Sequence, residues 1–255
     1  MTNICNTCSV KFESDIDNDN CPACVAQREK NYISALSKAW AGVPIISLPV
    51  SLMSSRATSS ILHLPTAFFH EECHPTWDSI SGTFQGRLTP LLIGDAHLAA
   101  IFGKKGTGKS WMGWAAIHGF AQMNCTKRGR YVPPIWRFID YRDLDALAQD
   151  ANWGSHDDKE AARFKLRDLE TADFVVIDEV GIMQTTGQNT GIITNLIRKR
   201  YETRKPTLLA TTVSKEEFVN RLGEPTLDRA SIVIEMPGDT RRRKLNLSGE
   251  NTKET

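Results

Sequence analysis

The chain has 255 residues, 40% hydrophobic and 24% charged, with a formal charge of +1. That is enough apolar material for one full core and a small appendage. The near-neutral balance excludes a global polybasic pull toward nucleic acid or membrane, so any DNA contact has to come from a local patch.

No apolar run reaches the length of a membrane span, and residues 1–20 are polar and acidic rather than signal-like. A cytoplasmic protein without membrane contact is expected. Its six cysteines then read as thiols or metal ligands rather than a disulfide frame. Four of them open the chain as Cys5-x2-Cys8-x12-Cys21-x2-Cys24. Two such pairs across a short polar loop match a tetrahedral four-cysteine zinc site, each pair on a tight turn. Residues 1–30 are therefore expected to be a zinc module. So short a segment lacks a core, and Zn2+ would supply most of its folding free energy.

Residues 31–95 follow as a linker and interaction region, opening with a candidate helix from Glu29 to Trp40 and continuing rich in Ser and Pro. Within it His70-Glu-Glu-Cys-His74 fits H-E-x-x-H, the pattern of a zinc-protease helix. Pro75 follows at once and disfavours helical geometry at His74. The plainer reading is a linker whose Phe68, Phe69 and Trp77 pack against the core or a partner. Cys73 and Cys125 stand apart as ordinary thiols.

From Ala96 onward short apolar runs alternate with helix-period segments, the signature of a parallel α/β sheet. Leu98 to Phe102 reads as a buried strand, and Ser110 to Met123 as a helix with Met112, Ala115, Ala116 and Phe120 facing inward. Between them lies Gly103-Lys104-Lys105-Gly106-Thr107-Gly108-Lys109-Ser110, a complete G-x-x-x-x-G-K-S loop. Glycines let backbone N–H groups curl around phosphate oxygens, and the helix N-terminus adds its dipole. Lys109 is expected to reach the β- and γ-phosphates of ATP, and the Ser110 hydroxyl to ligate Mg2+.

Phe174 to Ile177 is an apolar strand that ends in Asp178 and Glu179. A strand buried on both faces of a parallel sheet delivers its C-terminal residues to the ligand crevice. Asp178 is expected in the Mg2+ shell, and Glu179 as the general base that polarises the attacking water. Thr207 to Thr211 reads as a further strand. Ser214-Lys-Glu-Glu217 is a capping box, which leaves Thr212 for the phosphate side.

From Ala96 to Lys244 the sequence resembles the DnaC/DnaI-type bacterial helicase loaders, chromosomal or phage-encoded, and the related IstB transposition ATPases, both of the AAA+ class. The marks are Gly106-Thr-Gly-Lys-Ser110, Phe138-Ile-Asp-Tyr-Arg-Asp-Leu144, Val176-Ile-Asp-Glu-Val-Gly181 and Ile197-Arg-Lys-Arg-Tyr201. They continue with Lys205-Pro-Thr207, Leu222-Gly-Glu224, Asp228-Arg229 and Asp239-Thr-Arg-Arg242. The resemblance implies a doubly wound, mostly parallel five-stranded P-loop core over residues 96–247 and a flexible tail over 248–255. It implies that Arg229 is the arginine finger offered to a neighbour's ATP and that Arg242 senses the γ-phosphate from within the subunit. A guanidinium in either place would neutralise charge spreading onto phosphate oxygens.

Thr212 stands where the family usually carries Asn, which bears on sensing and hydrolysis. The implied function is ATP-dependent loading of a DnaB-type replicative helicase onto single-stranded DNA by a homo-oligomer. The zinc module would hold the helicase or, alternatively, touch DNA. An IstB-like ATPase on duplex DNA and, more distantly, a zinc protease are the other readings.

Overall fold

The computed structural model describes residues 2–4, 8–13, 21–27, 30, 77–124, 126–127, 130–131 and 134–238. The candidate helix from Glu29 to Trp40, the His70–His74 motif, Cys73, Cys125 and Arg242 fall wholly or mainly outside them.

Five strands form the main sheet: β3 (Leu98–Phe102), β6 (Trp136–Asp140), β7 (Phe174–Asp178), β8 (Thr207–Thr211) and β9 (Ile232–Glu235). Their order is β6-β7-β8-β3-β9. Every pairing is parallel, with Leu98 opposite Thr207, Ala99 opposite Ile232, Asp140 opposite Asp178 and Val175 opposite Thr207. The five-stranded parallel core expected from the sequence is what is found.

A parallel sheet needs apolar cover on both faces, and the strands show how the residues divide. Ala99, Ile101, Phe174, Val176 and Leu208 face one core, while Leu98, Ala100, Phe102, Val175, Ile177 and Leu209 face the other. The first face is covered by α1 (Gly82–Ile93) and α2 (Lys109–Asn124). The second is covered by α3 (Tyr141–Trp153), α4 (His156–Thr171), α5 (Gly187–Glu202) and α6 (Lys215–Leu222). A single turn of helix, α7 (Glu224–Asp228), joins α6 to β9. Helix α2 is buried from Met112 through Ala121, not only at the four expected positions. It lies between the sheet on one side and α1 with Trp77 on the other, and a helix covered all round is apolar all round.

Helix starts are fixed by side-chain caps, which satisfy otherwise orphaned N–H groups. Asp140 caps α3, Ser155 and Asp158 form a capping box on α4, Thr186 caps α5 and Ser214 caps α6. At the opposite end of the sheet Arg200 is fully buried. Its guanidinium donates to Leu169 O, Ala172 O, Pro206 O and Thr207 Oγ1, pinning the end of α4 to the entries of β7 and β8. Burial pushes its pKa down to about 9, with Asp173 and Glu170 opposing, so it keeps its charge at neutral pH.

Among the described residues, those from Trp77 to Leu92 also pack against the core, ahead of residue 96 where the ATPase core was expected to start. Leu88, Leu91 and Leu92 of α1 are fully buried, and Trp77 is buried against α2, its amide donating to His118 Nδ1 at 3.2 Å. The sequence obscured this because α1 carries Gly82, Gly86 and Pro90, poor helix formers whose unfavourable propensity is outweighed by leucine burial.

Short antiparallel pairs join β1 (Thr2–Ile4) to β2 (Lys11–Glu13) and β4 (Thr126–Lys127) to β5 (Arg130–Tyr131). Among the described residues no helix is long and apolar enough to cross a membrane.

Candidate active site

The loop of residues 103–108 leaves β3 and enters α2 at the C-terminal edge of the sheet. Gly106 and Gly108 hold φ of +85° and +99°, which only glycine adopts without strain. Left-handed residues interleaved with ordinary ones turn successive N–H groups inward, the geometry of an anion nest at a helix N-terminus. Gly103 is needed for a different reason. A Cβ there would lie 2.8 Å from Met236 Cβ and 2.9 Å from Thr107 Oγ1, so the loop and the exit of β9 pass too closely for a side chain. Thr107 is fully buried and donates to Lys104 O at 2.9 Å. Lys109 is buried too, its Nζ donating to Gly103 O at 2.7 Å and Lys104 O at 2.8 Å. Its ammonium is thus held inside the loop curve, where a phosphate chain would meet it.

The adjacent strand supplies the acids. Asp178 ends β7, is buried, and hydrogen-bonds the Ser110 side chain. Burial raises its pKa, the Ser110 and Glu179 N–H bonds oppose the rise, and the charges of Glu179 and Asp140 add to it. A buried carboxylate touching a hydroxyl, with two further acids near, is an oxygen donor set suited to a hard divalent cation. The residues present therefore fit Mg·ATP: the loop amides and Lys109 would hold the phosphates, and Ser110 and Asp178 would hold Mg2+. When bound, that ion would supply positive charge to offset the negative charge that develops on the phosphates.

Glu179 follows in the left-handed region, with φ of +53°. For a side chain with a Cβ this is an uncommon, strained conformation of the kind that gathers at functional sites. Its carboxylate meets Arg142 of α3 at 3.0 Å. Nothing in the sequence signals this ion pair, because the two residues meet only once β6 and β7 lie side by side with Asp140 opposite Asp178. Arg221 of α6 also escaped notice; its guanidinium donates to Gly181 O and pairs with Glu217.

The remaining expected residues are placed as follows. Lys104 and Lys105 are exposed on the loop. Thr212 lies one residue past the end of β8, next to Thr211, whose carbonyl accepts from Gly103 N–H at 3.2 Å and whose buried hydroxyl donates to Val180 O. Ser214 accepts from Glu217 N–H at 3.1 Å, the cap expected of it. Arg229 ends α7, its guanidinium donating to Pro225 O at 2.6 Å. The structure thus brings Lys109, Ser110, Asp178 and Glu179 to one edge of the sheet.

Fold and loop together define a parallel α/β P-loop core of the kind that holds a nucleoside triphosphate. The sheet superposes on AMPPCP-bound DnaA from Aquifex aeolicus with a TM-score of 0.50, at 15% identity, over 64% of this chain and 50% of that one. Domain III of the Thermotoga maritima replication initiation protein DnaA gives a TM-score of 0.50 at 14% identity, over 64% of this chain and 67% of that one. Within that class, the resemblance to DnaC-type helicase loaders is borne out. Over 137 residues the chain is 28% identical to the replicative helicase loader DnaC of Escherichia coli strain K12, and equally to that of Shigella flexneri. The match takes in 53% of this chain and 51% of those proteins, so the chain spans about half the length of the curated relatives it matches. No protein-family model matches the chain.

The N-terminal cysteines form a separate cluster. The Sγ atoms of Cys8, Cys21 and Cys24 all lie within 4.8 Å of one another, and Cys8 and Cys21 are 3.6 Å apart. Zinc–thiolate bonds of about 2.3 Å put tetrahedral sulfurs about 3.8 Å from each other. The cluster therefore has the size of a zinc site. Cys5, the fourth expected ligand, lies outside the described residues.

Proposed function

We propose that this protein is an ATP-dependent loader of a DnaB-type replicative helicase onto single-stranded DNA. The observation that carries the reading is the occurrence of a complete P-loop and an acidic strand end in a chain with sequence likeness to DnaC over 137 residues. In this reading Lys109 and the amides of Gly103 to Ser110 bind the nucleotide, Ser110 and Asp178 hold Mg2+, and Glu179 activates water. Thr212 stands on the γ-phosphate side. Arg229 enters the site of a neighbouring copy and Arg242 acts within its own, so efficient hydrolysis requires a homo-oligomer. Cys5, Cys8, Cys21 and Cys24 bind Zn2+, and that module grips the helicase. The domain assignment follows: a zinc module over residues 1–30, a connecting region, the ATPase core, and a tail from residue 248.

The test is affinity capture from bacterial lysate with ATP and without it, followed by mass spectrometry. Nucleotide-dependent recovery of the replicative helicase, lost in Cys5→Ser/Cys8→Ser, is expected. Recovery of a transposase on duplex DNA with no helicase would replace the loader reading by a transposition one.

A further inference from the structure

We propose that Arg221 is a positioning residue for hydrolysis: it fixes the turn that aims Glu179 and joins that turn to the segment carrying Arg229. The proposal rests on the roles given above to Glu179 and Arg229 and adds how the two are coupled.

The turn after β7 runs from Glu179 to Ile182 and is closed by Ile182 N–H donating to Glu179 O at 3.1 Å, with Gly181 at φ of +73°. Val180 is held to the sheet through its N–H, which donates to Ala210 O at 2.9 Å, and through its carbonyl, which accepts from Thr211 Oγ1. The next carbonyl, that of Gly181, points away from the strands and accepts from the Arg221 guanidinium. Arg221 is itself oriented by Glu217, one helical turn earlier in α6, and its side chain is only 22% exposed. A planar guanidinium donates in two fixed directions at once, to a carboxylate and to a carbonyl, which a lysine ammonium does not reproduce.

The other end of the link is α7. Gly223, at φ of +84°, turns the chain out of α6, and Thr226 folds back on it through its N–H to Gly223 O at 3.1 Å and its hydroxyl to Leu222 O at 2.8 Å. Arg229 closes the same turn through Pro225 O. From Gly181 to Arg229 the path is therefore one guanidinium, the last residues of α6 and a hydrogen-bonded corner. Displacing the Glu179 turn moves the α6–α7 corner with it, so nucleotide at one site adjusts the arginine offered to the next.

Two arms test this. In the first, Arg221→Met and Arg221→Lys are compared with the parent for nucleotide affinity by a fluorescent ATP analogue and for single-turnover hydrolysis. A fall in rate of about tenfold or more with affinity kept within about twofold is expected, with Arg221→Lys no better than partial rescue. An unchanged rate, or a matched loss of affinity and thermal stability, would overturn the positioning role.

In the second arm, Glu179→Gln (finger intact) is mixed with Arg229→Ala (own site intact), which should restore hydrolysis across hybrid interfaces. Restoration that disappears when the Glu179→Gln partner also carries Arg221→Met supports the coupling, and restoration that persists refutes it. No restoration in the parent mixture would count instead against the trans role of Arg229 and remove the link to the neighbour, leaving the first arm to decide the positioning of Glu179.

Discussion

At the scale of single residues, the site is built from groups held in states that a folded interior ordinarily resists. Asp178 is the clearest case. Its pKa is raised chiefly by burial, so the folded protein binds that proton more tightly than the unfolded chain does. The favourable contribution is fully present below the unfolded carboxylate pKa and is lost as pH rises through the folded one. At neutral pH, without a cation, the buried carboxylate therefore opposes folding. Asp178→Asn should raise the melting temperature of the nucleotide-free protein, by about 2–4 °C for each kcal/mol relieved, while abolishing Mg2+-dependent hydrolysis. Calorimetry with and without Mg·ATP checks both, and a lower melting temperature would contradict the electrostatic reading of the site.

His118 titrates with the opposite sense. Burial lowers its pKa to about 4 against an opposing pull from Asp78, and its Nδ1 accepts from Trp77 N–H. A neutral imidazole is what the fold requires, so its contribution is present above the unfolded value near 6.5 and is lost as pH falls toward about 4. His118→Asn retains an acceptor for Trp77 without a titrating group. It should lessen the fall in stability between about pH 7 and about pH 5 by on the order of 1–2 kcal/mol, read from urea midpoints at the two pH values.

At the scale of elements, what was legible in the sequence divides by the kind of burial. Strands β3, β7 and β8 were readable because each carries a central apolar run buried on both faces, and the G-x-x-x-x-G-K-S loop fixes what lies on either side of it. The Ser214 cap was readable because its signal is local, though Glu217, expected to close a capping box with it, pairs with Arg221 instead. Helix α1 was not, since its own residues argue against a helix and only tertiary burial of Leu88, Leu91 and Leu92 makes one. The Arg142–Glu179 and Arg221–Gly181 contacts were illegible for the same reason, as each joins elements 37 and 40 positions apart in sequence and close only in the finished sheet.

The burial of α1 can be tested by cutting the chain on either side of it. Leu91→Ala should destabilise the core by about 2–5 kcal/mol, the range for a buried leucine whose surroundings relax incompletely. A fragment of residues 77–238 should then unfold cooperatively, and one of residues 96–238, stripped of α1 and Trp77, should aggregate or melt far lower. Equal melting of the two fragments would show that α1 is a passenger rather than part of the core.

At the scale of the whole molecule, two sources of folding free energy are unequally distributed. The core from Trp77 to Met236 is covered on both sheet faces, whereas before Trp77 the described buried apolar residues are Cys21 and Val25. The sequence of residues 1–30 holds little apolar material, too little to offset the entropy of ordering even a short segment, and a metal bound by Cys8, Cys21 and Cys24 would supply the difference. If so, the N-terminal module and the ATPase core draw their stability from separate sources and should fail separately. Stripping zinc with a strong chelator, with release followed by a metal indicator dye, should yield one equivalent per chain and abolish helicase capture. Nucleotide affinity and the melting of the core should stay where they were. Cys8→Ser should reproduce the chelated state at neutral pH, because a three-sulfur site loses its closed tetrahedral shell. Loss of nucleotide binding on chelation would mean instead that the module braces the ATP site, and the helicase contact would then have to be sought on the core itself.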